Sequence, residues 1–156
     1  MFKACVTILI RRGQRVIRIY RHIWFLLAIY FIASSAHFVH NAAYIAYYPR
    51  MPSWITPDRI YVAWTVVTAV GIAGLVALRL RLHAAAAVLI AIYGALGLDG
   101  LAHYTLALCS EHTFMTNVTI WSEAISGLCL LLASTVSATR NLRPYQARCG
   151  PDLFGD

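Results

Sequence analysis

The stretch AAAAVLIAIYGALGLDGLAHYTLALCSEH, residues 84–112, decides how the chain is read. From Ala84 to Leu98 it carries no charge, and then it brings Asp99, His103, Glu111 and His112. A bilayer is crossed by about 20 apolar residues at 1.5 Å rise each. The run 84–109 is long enough, so this segment is expected to be a membrane span. The question is why a lipid-solvated helix carries Asp99 and His103 one turn apart.

Three further runs have the same character, at about 23–48, 60–80 and 114–137. The chain has 156 residues, 60% hydrophobic and 12% charged, with a mean hydropathy of +0.67. A water-soluble domain of this size is not so apolar. The expected fold is all-α, a four-transmembrane-helix bundle over 23–137. It is flanked by a basic N-terminal tail or interfacial helix (1–22) and a mobile cytoplasmic tail (138–156).

Charge orients the bundle. Lys3, Arg11, Arg12, Arg15, Arg18 and Arg21 precede the first run, Arg79 and Arg81 lie between the second and third, and Arg140, Arg143 and Arg148 follow the fourth. Only Arg50 and Arg59 fall in the first loop. The positive-inside rule then puts both termini in the cytoplasm of a bacterial inner membrane. The net charge of +7 reads as this topology signal and as attraction to anionic lipid, with no nucleic acid implied. Other membrane subunits or a second copy remain open as partners. A competing reading takes residues 1–36 as a secretory signal ending in ASSA, with His37 as the mature N-terminus. The apolar run continues through AAYIAYY, as a full span does.

Thr56-Pro57-Asp58 reads as a helix start, with a capping residue, proline in the first turn and an acid at the positive dipole end. Tyr44, Tyr47, Tyr48, Trp54, Tyr61 and Trp64 cluster at this boundary like an interfacial aromatic belt. Alanines at spacing four, Ala69-Ala73-Ala77 and Ala87-Ala91-Ala95, are expected to mark the faces on which spans two and three pack. Cys5 and Cys149 are expected to be reduced, Cys129 to fill core, and no disulfide is expected.

Asp99 and His103 continue the Ala87-Ala91-Ala95 stripe, which places them on the packed face. A carboxylate facing lipid costs at least ~2.5 kcal/mol. His37 lies on Ala33-His37-Asn41 and Glu123 on Thr119-Glu123-Gly127. Counted inward from the outer ends, His37, Asp99 and Glu123 share a layer roughly 13–16 Å deep. His40, Asn41, His103 and Tyr104 form a shallower one, and Tyr44 adjoins it.

Imidazoles with carboxylates and no thiolate suit Zn, Cu, Fe or Mn. The first expectation is therefore a metal or cofactor site opening outward, with His37, His40, Asp99, His103 and Glu123 as ligands. Asn41, Tyr44 and Tyr104 would line the cofactor. Two alternatives are weighed against it. One is acid–base work by Glu123 or Asp99 on an apolar, lipid-soluble substrate. The other is polar glue between helices, as Asp99–His103 and His37–Glu123 pairs, within a membrane-complex subunit. The idea of a His/Glu cavity in a small bundle is similar to sterol-isomerase-type membrane proteins. None of their motifs is matched, so no residue role carries over.

Overall fold

The computed structural model describes the backbone of residues 2–146 and the side chains of residues 21–139. Its helices are α1 (Phe2–Ala43), α2 (Pro57–Arg79), α3 (His83–Leu96), α4 (His103–Leu106) and α5 (Phe114–Gln146). No strand occurs among the described residues. Four segments are long and apolar enough to cross a membrane: Arg21–Ala43, Pro57–Arg79, His83–Leu106 and Phe114–Thr139. Cys5 and Cys149 lie outside the described side chains, as does the end of the tail beyond Gln146.

The helices close into a bundle in which α1 packs on α2, α2 on α3, α3 on α5 and α5 on α1. The bundle has an apolar outside. Phe25, Ile32, Val62, Val66, Ile72, Val88, Ile125 and Leu132 are exposed, whereas Ser34, His37, Asn41, Thr116, Glu123 and Ser134 are buried. That distribution suits lipid, because an apolar solvent gives no reason to hide apolar side chains and every reason to hide polar ones. We call the end bearing loops 44–56 and 107–113 outer, after the charge distribution.

The inner half is an apolar core of Ile23, Leu27 and Tyr30 from α1, Ile90 and Tyr93 from α3, and Leu130 from α5. Tyr30 meets Tyr93 edge-on with ring centroids 4.6 Å apart, an arrangement that satisfies the quadrupoles of both rings.

The packing faces differ from the expected alanine stripes. Ala69 and Ala73 are exposed while Ala77 of the same stripe is buried, and α2 also buries Gly71 and Gly74. A Cβ at Gly71 would stand 2.8 Å from the Tyr93 ring, and one at Gly74 2.9 Å from Ile90. On the facing helix Gly94 and Gly97 are buried while Ala91 and Ala95 are only half-buried. A Cβ on Gly127 would come within 2.5 Å of the Gly94 carbonyl oxygen. Without a hydrophobic drive between helices in lipid, the closest backbone approach wins, and glycine outcompetes alanine for it.

The third span is not one regular helix. After Leu96 it tightens into a 3₁₀ turn over Gly97–Ala102 before α4 resumes. At three residues per turn, positions i and i+3 eclipse. Gly94, Gly97 and Gly100 therefore fall in register toward the interior, all buried. The spacing-four stripe is lost there, so Asp99 is exposed rather than packed.

The loops follow their local chemistry. Thr56 takes an extended conformation ahead of Pro57, without a side-chain cap bond. Between α2 and α3, Arg81 has φ 60°. Its N–H reaches the Leu78 carbonyl while that of Leu82 reaches Ala77, the paired bonds of a Schellman ending. Thr113 Oγ1 accepts the Thr116 N–H at 3.2 Å and starts α5. Cys109 and Cys129 are free and exposed, so Cys129 faces outward instead of filling core.

Candidate functional site

A cavity of about 490 Å³ opens in the outer half, between α1, α2 and the third span. Phe38, Ile60, Ala63, Val67 and Leu96 supply apolar walls, and Met51, Pro52, Trp54 and Ile55 of the first loop form its roof. The polar lining is His37, Asn41, Arg59, Asp99, His103, Thr105 and Glu123. An apolar chamber with a few convergent polar groups is the usual form of a small-molecule site.

His37 and Glu123 border this cavity while exposing 3% and 1% of their surfaces. They come from α1 and α5, which the glycine contacts of α3 draw together. His37 Nε2 stands 3.6 Å from Glu123 Oε2, beyond a good hydrogen bond. Oε2 is buried with no hydrogen-bond partner. On the far side of the ring, His37 Nδ1 lies 3.4 Å from Thr119 Oγ1. The Thr119 hydroxyl donates to the Thr116 carbonyl at 2.9 Å. Its one proton is therefore committed, so it accepts from His37 Nδ1–H, and the Nε2 position faces Glu123. Gly100 leaves the space beside the pair open: a Cβ there would lie 3.3 Å from Glu123 Oε2 and 3.8 Å from His37 Nε2.

The other expected residues divide into two groups. His103 and Asn41 share the cavity with His37 and Glu123, and Asn41 Nδ2 lies 3.3 Å from His103 Nε2. The His103 ring centroid is 5.5 Å from that of His37. Asp99 also lines the cavity, from its exposed position on the 3₁₀ turn. His40, Tyr44 and Tyr104 are absent from the lining. His40 Nδ1 instead shares a 3.0 Å hydrogen bond with the Tyr48 hydroxyl, and Tyr44 is exposed beside it. The Tyr104 hydroxyl donates to Asn117 Oδ1 at 2.8 Å. Among the described residues, no group of three His, Cys, Asp or Glu side chains is disposed to hold a metal ion.

Sequence reasoning missed four participants. Tyr48 reads as belt but is buried, with its ring among those of His40, His103 and His112. Burial holds its phenol above the usual range. His112, to which the sequence assigns no role in the site, is buried too, with Nδ1 3.0 Å from the Leu108 carbonyl. Gly100 is legible only once the 3₁₀ turn is known. Arg50, at φ 56°, donates to the Leu106 carbonyl and to Glu111 Oε1 at 2.9 Å, while Glu111 Oε2 accepts the Leu108 N–H. That clasp ties the first loop to the last one above the cavity.

These features define a class, a multi-pass helical membrane protein with a buried His–Glu pair. Comparison of the chain with protein-family models, with curated proteins and with solved structures finds no match.

Proposed function

We propose that this protein binds a small lipid-soluble molecule in its outer-half cavity and exchanges a proton with it at His37 and Glu123. In this reading the bundle spans an inner membrane with both termini in the cytoplasm, and the cavity opens away from the cytoplasm. The observation that carries it is the 3.6 Å separation of His37 Nε2 and Glu123 Oε2. Two acceptor atoms face each other, neither bonded to the other nor independent. The proton-sharing arrangement is a carboxylate with an imidazolium or a carboxylic acid with an imidazole. A molecule that seats beside the pair, on the side that Gly100 leaves open, can take or give that proton, which is general acid–base chemistry. An interior pair serving only as glue is expected to close to hydrogen-bond distance and to satisfy its remaining lone pairs.

Infrared difference spectroscopy of the protein in lipid nanodiscs tests this, with 1-decanol as the probe. The expected result is a carboxyl band that shifts on adding decanol and is absent from Glu123→Gln. A band unmoved by decanol, together with Glu123→Gln and His37→Gln variants that change only the melting temperature, would assign the pair to helix packing instead.

A further inference from the structure

We infer that the molecule held in this cavity carries an O–H or N–H donor on an otherwise apolar body, as an alcohol or amine does, and is not an anion. This inference rests on the cavity reading above and narrows it. The buried, unpartnered side-chain atoms among the described lining residues are acceptors. Glu123 Oε2 is buried and unpartnered, and so is Asn41 Oδ1. Asp99 adds a second carboxylate to the lining. His37 offers Nε2, because Thr119 holds its other nitrogen as the donor. A buried acceptor left without a donor is costly, and a head group that brings a proton removes the cost.

A hydroxyl seated beside the pair, on the side that Gly100 leaves open, can donate to Glu123 Oε2 or to His37 Nε2. An amine donates to both. An ether of the same length can only accept, so it leaves Glu123 Oε2 as it found it. A carboxylate brings like charge toward Asp99 and Glu123. Among the described residues, Arg59 is the one Arg or Lys in the lining. It comes from the first turn of α2, near the outer end, rather than from the layer of the pair. The walls of Phe38, Val67 and Leu96 set the apolar character of the body.

Gly100 supplies the positional control. Its φ is not positive, so alanine fits the backbone there. The added methyl would stand 3.3 Å from Glu123 Oε2 and take the place of the head group.

The test is photoaffinity labelling of the full-length protein in nanodiscs. Four diazirine probes of one chain length end in a primary amine, a hydroxyl, a methyl ether or a carboxylate, and labelled residues are mapped by mass spectrometry. The amine and the alcohol are expected to label the lining at Phe38 and Met51 roughly tenfold more than the ether and the carboxylate, the worth of one hydrogen bond to a charged group. Gly100→Ala is expected to abolish that preference while keeping the wild-type melting temperature. Equal labelling of the lining by all four probes, or a preference for the carboxylate, overturns the inference and leaves the cavity reading standing. No labelling of the lining by any probe overturns both.

Discussion

His37 Nε2 and Glu123 Oε2 face each other at 3.6 Å across the α1–α5 contact, and the carboxylate oxygen has no hydrogen-bond partner. A buried ion pair is strongly stabilising only when its geometry is good and its lone pairs are filled. Replacing both members with apolar residues should therefore not weaken the bundle. The double variant His37→Leu/Glu123→Leu is expected to melt at or above the wild-type temperature in detergent. A loss of more than ~2 kcal/mol would show that the pair holds the helices together, since interhelical polar contacts in membranes reach about that value at most.

Metal content is the second measurement. A stable site takes three or four donors around one ion, and no such group occurs among the described residues. Purified without chelators from cells supplied with Zn, Cu, Fe and Mn, the protein is expected to hold far less than one equivalent of any of them. One equivalent that falls in both His37→Ala and Asp99→Asn would support the metal reading of the sequence.

The glycine contacts carry the fold. A Cβ at Gly97 would stand 2.6 Å from the Tyr30 ring, and at Gly127 2.5 Å from the Gly94 carbonyl oxygen. Gly97→Ala and Gly127→Ala are each expected to cost about 1–3 kcal/mol through overpacking. Gly100→Ala, three residues on, is expected to cost little. Thermal unfolding of the three variants side by side checks the contrast, and equal melting temperatures would argue against so close an approach of α3 and α5.

The Arg50–Glu111 clasp is exposed, so its loss should change global stability by under ~1 kcal/mol. Its effect should be local. In Arg50→Ala and Glu111→Gln, amide hydrogen exchange over residues 48–56 is expected to quicken, while α2 and α5 stay as they were. Unchanged protection in that loop would mean that the roof is held by its apolar contacts alone.

Orientation is open to labelling. Single cysteines placed at Ser53 and Ser110 are expected to react with an impermeant thiol reagent from outside, and those at Arg81 and Arg143 only after the membrane is opened. Labelling of position 143 from outside would refute the four-span topology. A mature chain beginning at His37 would lack Tyr30 and Ser34, both fully buried.

The spans were legible because length and hydropathy decide them, and the Ala33-His37-Asn41 and Thr119-Glu123-Gly127 faces followed from helical period. The third span misled the same logic. Its period changes at Gly97, and nothing in a spacing-four stripe announces that. The glycines at 94, 97 and 100 are the signal that was present, read at spacing three. His40 and Tyr104 were placed by depth alone. Depth says nothing of azimuth, and each turns to a hydroxyl or amide partner outside the cavity. Tyr48 was unreadable because its burial depends on where the first loop folds back.

The 3₁₀ turn at Gly97–Ala102 has a consequence for motion. Its i→i+3 bonds have poorer geometry than those of the helix on either side, and glycine at 97 and 100 lowers the cost of changing torsion there. The wall that carries Asp99 and Gly100 is thus more compliant than regular α-helix. In the proposed reading, a molecule that seats against the carboxylate is expected to slow amide exchange in this turn as it binds.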